Sequence, residues 1–355
     1  MPRPLIHRAA LYNYLPQVPS WFCNVGHFAG KYRFRRKVRE KYRKESVPTC
    51  PWCNENDFIF IANQERHGLA TEVMLCNACA FMFTTLRWDE PSLSDHYQRD
   101  YRDIERGIIP DIHFLMFELQ KSKGPLLWPP ITAELSARGI VNPQIAEIGC
   151  GEGGLLAWIR DNAGAKVTGF ELNLDASAFG QSRGLDIRSD HFQANSGRFD
   201  VIILEQVLEH LHNPSAFVAM LAASQQQGDL LSIGVPGMMA AGAHYDNNFL
   251  VYLDYAHMSH FCLHTLERMV VPHGYRLVRG DETVQALFER ISRPGPVTTP
   301  PVTADHIAAY LAKIESEYRH KGSHLLRHAR PYAKYILVGL KSRMRRWGGD
   351  PLFRP

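Results

Sequence analysis

Residues 145–154, Ile-Ala-Glu-Ile-Gly-Cys-Gly-Glu-Gly-Gly, end an apolar run in an acid, Glu147, followed by Gly149, Gly151 and Gly153 at alternate positions. Residues 155–160 then read as a helix. A strand, a glycine turn and a helix bring backbone N–H groups close to a nucleotide-like ligand, because a Cβ would block the approach and many turn positions want positive φ. Glu171 closes the strand-like run 166–170 about twenty residues past the glycines, where such a fold offers a carboxylate to ribose hydroxyls. An NAD-binding domain is the alternative reading of the glycines alone, so the surroundings must decide.

The second group of reactive residues is Cys50-Pro-Trp-Cys53 with Cys76-Asn-Ala-Cys79, two C-x-x-C knuckles separated by 22 residues. Four thiolates at this spacing can close a tetrahedral Zn²⁺ site with no open position, which makes a structural role the expectation. Strand-like segments at 58–61 and 73–75 fit a zinc ribbon. Two disulfides or a redox pair are the alternative. The scattered, odd-numbered remainder (Cys23, Cys150, Cys262) does not look like a secreted disulfide framework.

Further elements must position these residues. Residues 185–188 form a third strand-like element, ending near Asp190. Residues 199–204 form a fourth, running into Glu205-Gln-Val-Leu-Glu-His-Leu-His-Asn-Pro214, and residues 229–235 a fifth, ending at Pro236. Strands alternating with helices at this spacing argue for an α/β protein with a parallel sheet.

Taken together, Glu147-x-Gly-x-Gly-x-Gly, Glu171, Phe199-Asp200, the Glu209-His210-x-x-x-Pro214 turn and the Val235-Pro236 exit resemble the class I S-adenosylmethionine-dependent methyltransferases over roughly residues 140–280. Residues 257–266 and His273-Gly-Tyr275 resemble the end of that domain. The resemblance implies a Rossmann-like α/β fold. It puts Gly149, Gly151 and Gly153 along the methionine and ribose, Glu147 near the amino acid end and Glu171 on the ribose. Asp190 with His191 would face the adenine, and Leu204 and Glu205 would border the methionine moiety.

A Cys₄ ribbon ahead of this domain is similar to bacterial methyltransferases that act on sugars, including sugar C-methyltransferases. Those carry a Tyr-x-Glu-His signature past the fifth strand, whose histidine is the expected general base. This chain reads Asp254-Tyr-Ala-His257. His257 matches, Ala256 stands in the glutamate's place, and the chain is too short for those enzymes' further C-terminal domain. O-methylation of a sugar or glycan, on a lipid or nucleotide carrier, is therefore the leading expectation. The rivals are a sugar C-methyltransferase and a zinc-ribbon rRNA base methyltransferase. A partner-binding ribbon with a degenerate methyltransferase domain is a third reading, which the intact glycine motif argues against.

Methyl transfer to a hydroxyl or carbon acid needs a proton acceptor, and histidine titrates in the right range. The candidates are His257, His260, His210, His212 and His264, among 17 histidines in all. Tyr255 either orients a sugar hydroxyl or caps the core. Packing of the turn after strand four is the stronger reading for His210, and His264 reads as an exposed turn residue before Thr265.

At 355 residues and 45% hydrophobic the chain is globular, with one large domain and appendages. It has no apolar run long enough for a membrane span. Its first residues lack the apolar core of a signal peptide, so a cytoplasmic enzyme is expected. The expected organisation is a basic N-terminal arm (1–45), the ribbon (46–88), a helical connector lying over the cofactor (89–138) and the methyltransferase domain (139–285). A linker and basic helical tail (286–355) follow. Residues 31–44 hold nine Lys/Arg and one Glu, +8 in a chain of +4, and a second basic cluster lies at 341–347. Basic residues mixed with aromatics bind phosphates, so an anionic membrane face or lipid-linked glycan is one expected partner and nucleic acid the weakest; a solvated helical face is the alternative.

Overall fold

A computed structural model describes residues 4–6, 36, 38, 40–66, 68–100 and 111–320. The cluster at 341–347 and half of 31–44 lie outside the described residues.

The chain opens with β1 (Lys44–Ser46), β2 (Phe58–Gln64), β3 (Ala70–Cys76), β4 (Met82–Thr84) and β5 (Leu86–Trp88). Helical structure follows: α1 (Glu90–Asp95), a π-helical turn His96–Asp100, α2 (Ile112–Lys121) and α3 (Gly124–Ala137). Strands and helices then alternate except between β8 and β9, which a loop joins: β6 (Gln144–Ile148), α4 (Gly154–Ala163), β7 (Lys166–Phe170), α5 (Leu174–Ser182), β8 (Asp186–Arg188), β9 (Val201–Glu205), α6 (Pro214–Ser224) and β10 (Leu230–Gly234). The last elements are β11 (Ser259–His260), α7 (Leu263–Val270), β12 (Tyr275–Gly280), β13 (Gln285–Arg290) and α8 (Ala304–His320).

Local chemistry sets many of these boundaries. Asn173 caps α5 by accepting from Ala176 N, and Asn213 caps α6 by accepting from Ala216 N, both at 2.9 Å, with Pro214 opening α6. Strands β9 and β10 are apolar on both faces, as strands covered by helices on each side must be.

The central sheet has the order β12-β13-β10-β9-β6-β7-β8. Its five strands from β6 to β10 are parallel, as the alternation implies. The sheet as a whole is mixed, which corrects the expectation of a parallel sheet. β12 and β13 are joined by a short turn, which forces them antiparallel, and β13 inserts beside β10 in the antiparallel sense.

The ribbon is built into the rest of the molecule. β2, β3 and β4 form an antiparallel sheet that gains β11 as a fourth strand, with Ser259 opposite Phe83 and His260 opposite Met82. Cys50, Cys76, Phe81 and Phe83 share one core cluster with Leu204, Leu231, Phe261 and Leu266. Helix α8 buries Ile307, Leu311 and Ile314, spaced at helical period, against Ile61, Met238 and Phe249. No helix among the described residues is long and apolar enough to cross a membrane.

Candidate active site

The glycine turn lies at the carboxyl end of β6, where open α/β sheets bind ligands. Gly149, Gly151 and Gly153 all have positive φ (71°, 56° and 76°). Glu171 organises the turn: its Oε2 accepts from Gly151 N at 2.8 Å and its Oε1 from Asn173 N at 2.6 Å. A carboxylate has about four acceptor sites, so ribose hydroxyls can still bind. Beside it opens a cavity of about 980 Å³ lined by Leu172, Arg188, Ser189, Asp190, His191 and Gln98. Asp190 and His191, the residues expected to face an adenine, both line this cavity. Leu204 is fully buried in the core cluster.

Three carboxylates, Glu147, Glu171 and Glu205, lie close enough around the glycine turn to influence one another. Glu147 is buried, its Oε2 has no hydrogen-bond partner, and burial pushes its pKa up to about 8 against the pull of Lys123, with Glu205 and Glu171 adding to the rise. Glu205 pairs with Lys123 Nζ at 2.8 Å and accepts from Gln285 Nε2 at 3.3 Å.

Several residues here escaped the sequence reading. Gln120 of α2 accepts from Gly154 N at 3.0 Å and donates to Glu152 at 3.1 Å, while His113 Nδ1 lies 3.0 Å from Glu152. Helix α2 is thereby fastened onto the glycine turn. Only Glu152, an acid inside a glycine motif, carried a signal for this in the sequence.

The histidines gather at the end of β9. His210 and His257 have ring centroids 4.8 Å apart, and His260 lies 6.2 Å beyond His257. His210 Nδ1 lies 2.6 Å from the Tyr97 hydroxyl and 3.1 Å from the Ala256 carbonyl oxygen. Because a carbonyl only accepts, the tautomer in which Nδ1 donates to Ala256 leaves the lone pair on Nε2, whereas the tautomer in which Nδ1 accepts from the Tyr97 hydroxyl puts the proton on Nε2. Glu209 is buried with neither carboxylate oxygen hydrogen-bonded, and burial pushes it up to about 8. Burial first, then His210, the Arg66 cation and His260, hold the His257 pKa well below the usual histidine value. Burial takes His260 down to about 3.

The other candidates lie apart. The Tyr255 hydroxyl is 3.0 Å from His96 Nε2, in the cluster of Trp88, Tyr42 and Val38. His212 Nε2 is 3.0 Å from the Trp88 carbonyl oxygen. His264 is not an exposed turn residue: it is buried in α7, with Nδ1 2.9 Å from Thr299 Oγ1, because the segment after β13 folds back over that helix.

These buried groups set a pH dependence of folding. A carboxyl with a raised folded-state pKa binds protons that the unfolded chain has released, so Glu147 and Glu209 lose stability as pH rises from 4.5 to about 8. The depressed His257 and His260 act oppositely, losing stability as pH falls below 6.5. The two effects offset each other between 4.5 and 6.5, and above 6.5 only the carboxylates act. The cofactor-free protein is expected to lose about 2 kcal/mol per carboxyl between pH 6.5 and 8. Denaturant titration should show Glu147→Gln removing roughly half of that fall; an unchanged slope in the variant would show that Glu147 ionises freely.

Residues 119–279, somewhat under half of the chain, match a family model described as a methyltransferase domain. Two similar relatives are the ubiquinone biosynthesis O-methyltransferases of Sodalis glossinidius and Serratia proteamaculans. The first is 28% identical over 100 residues, covering 25% of this chain and 40% of the relative; the second is 31% identical over 96 residues, covering 24% and 39%. The chain thus spans about two fifths of the length of these relatives. Among solved structures, the magnesium protoporphyrin IX methyltransferase of Synechocystis PCC 6803 with bound SAH overlays with a TM-score of 0.40 at 16% identity, covering 57% of this chain and 100% of that one. The stretch from 119 to 279 thus matches a methyltransferase domain, and the glycine turn, the Glu171 carboxylate and the sheet order agree with that match.

Proposed function

We propose that this chain transfers the methyl group of S-adenosylmethionine to a hydroxyl of a sugar or glycan, and that its four-cysteine cluster holds a structural zinc. The observation that carries the reading is the meeting of two sets of groups at the carboxyl ends of the central strands. The glycine turn with Glu147, Glu171 and Glu205 follows β6, β7 and β9, and the His210–His257 pair closes on the end of β9.

The chemistry is an in-line displacement. The acceptor oxygen forms a bond to the methyl carbon as the carbon–sulfur bond breaks, and the electron pair returns to sulfur. Aligning nucleophile, methyl and sulfur supplies several kcal/mol. The hydroxyl proton must leave, and His257, held neutral at working pH, is the proposed acceptor, with His210 beside it. Glu205 offers negative charge to the cofactor's ammonium group, and Glu147, protonated up to about pH 8 in the cofactor-free protein, would give up its proton as that cation binds. The two relatives are O-methyltransferases, which supports oxygen as the acceptor atom, and the resemblance of ribbon plus domain to sugar methyltransferases supports the sugar. A cytoplasmic enzyme working near an anionic membrane face or a lipid-linked glycan, through residues 31–44 and 341–347, belongs to the same proposal.

The zinc reading passes a geometric test. Tetrahedral Zn²⁺ with bonds of about 2.3 Å sets its sulfurs about 3.8 Å apart. Here Cys50 and Cys79 Sγ are 3.6 Å apart, Cys53 and Cys76 Sγ 3.5 Å, and all four lie within 4.8 Å of one another. Elemental analysis should give about one zinc per chain. Cys76→Ser should lower that content and, since the knuckles share a core with the catalytic sheet, lower the melting temperature of the whole protein. Zinc content near zero in a folded wild-type preparation with the thiols oxidised would reject the site.

The substrate reading is tested by incubating purified protein with labelled S-adenosylmethionine and fractionated cell material. Label in glycan is the expected result, and label in RNA would favour the rRNA alternative. Calorimetry in which the protein ignores S-adenosylmethionine and binds NAD would remove the methyl-transfer reading altogether.

A further inference from the structure

The turn that ends in His257 is held from the ribbon side. Arg66 lies in the connection between β2 and β3. Its backbone N donates to the Leu253 carbonyl at 3.1 Å and its Nε to the same oxygen at 3.2 Å. Its Nη2 is 3.0 Å from Asp254 Oδ2, and the Asp254 side chain is only 9% exposed. The other Asp254 oxygen accepts from Ala256 N at 2.9 Å, and the Asp254 carbonyl accepts from His257 N at 3.1 Å. Asp254 therefore shapes the turn from within, and Arg66 fixes Asp254 from outside. On the far side Thr84 Oγ1 donates to the His257 carbonyl at 2.8 Å, and Thr84 N donates to the Met258 carbonyl at 3.0 Å.

We infer that Arg66 is a positioning residue for the methyl-transfer reaction: its ion pair with Asp254 fixes the turn 254–257 and so holds the His257 ring against His210. The ribbon in this protein is thus a wall of the acceptor site. The inference rests on the methyl-transfer reading for the purpose of the turn; the grip stands on the contacts. A paired, mostly buried carboxylate stripped of its cation is left uncompensated, so loss of Arg66 releases the turn instead of merely loosening a surface pair.

The groups facing His257 are Arg66, His210, His260 and the Glu209 carboxylate, whose ligand atoms lie within 4.8 Å of those of His210 and His257. Removing the Arg66 cation takes away one of the repulsions that keep His257 neutral, and the Asp254 carboxylate it leaves behind acts in the same direction.

The test uses the full chain and needs no acceptor. Amide hydrogen exchange over residues 254–258, histidine-ring NMR titration and calorimetry with S-adenosylhomocysteine are measured on wild type, Arg66→Met, Arg66→Lys and Asp254→Asn. Arg66→Met is expected to speed exchange of the Ala256 and His257 amides at least tenfold and to raise the His257 titration midpoint. Affinity for S-adenosylhomocysteine should stay within about twofold. Arg66→Lys keeps the charge and should restore the wild-type midpoint. Asp254→Asn should speed exchange in the same direction, which covers the case in which Arg66→Met fails to fold. Exchange unchanged in the Met or Asn variant, or a midpoint that the lysine does not restore, would overturn the positioning role. A wild type that fails to bind S-adenosylhomocysteine would instead remove the methyl-transfer reading, so the two failures are distinguishable.

Discussion

Gly151→Val is expected to abolish S-adenosylmethionine binding, weakening it by more than about 100-fold, roughly 3 kcal/mol. Gly151 sits at φ 56°, a region that a β-branched residue enters only with strain, and its N–H donates to Glu171 at 2.8 Å. A valine side chain would strain that turn and fill space the ligand needs. The neighbouring glycines answer to the protein instead. A Cβ at Gly149 would meet Val207 Cγ2 at 2.6 Å, and one at Gly153 would meet Leu185 Cδ1 at 2.7 Å, so substitutions there should first cost stability. Gly139→Val is the control: Gly139 has φ 67° and nothing within 4 Å of an added Cβ, so it carries the backbone strain without the ligand. Calorimetry on Gly151→Val and Gly139→Val should separate the two. Binding by Gly151→Val within tenfold of wild type would show that the cofactor does not lie on this turn.

His257→Ala is expected to cut turnover by about 10²-fold or more at unchanged cofactor affinity. Its ring neighbours are His210 and His260, and the carbonyl of its own residue is held by Thr84. None of these groups belongs to the glycine turn. Because burial, His210 and Arg66 hold its pKa well below the usual histidine value, wild-type turnover should stay level through pH 6.5 and fall only below it. His260→Ala is the internal control. His260 is fully enclosed and titrates near 3, so it takes up no proton at neutral pH, and its loss should appear in melting temperature before turnover. The assay is initial-rate transfer of label to whichever acceptor fraction the labelling experiment identifies. Equal turnover in wild type and His257→Ala would assign the base elsewhere, with His210 the next candidate.

The sequence by itself determined the features that depend on a few neighbouring residues. The glycine turn was legible because positive φ and close approach require glycine at fixed offsets, and all three glycines adopt positive φ. Glu171 was legible because it ends the next strand. The cysteine quartet was legible because each knuckle is a local turn, and the thiols do converge. The alternation of β6 through β10 with helices followed from apolar periodicity.

Contacts between distant segments were decided only by the tertiary structure. Nothing in the spacing says that β13 inserts between β10 and β12, that β11 joins the ribbon sheet, or that Tyr255 turns toward His96. Nor does it say that Lys123 reaches Glu205, Tyr97 reaches His210, or Arg66 reaches Asp254. His264 looked exposed because a single histidine before a threonine carries no burial signal until residues 298–299 fold over it. The division has one physical cause. Backbone conformation is governed by sterics within a few residues, whereas polar partners separated by tens to hundreds of residues meet only where burying apolar surface has already fixed which elements lie side by side.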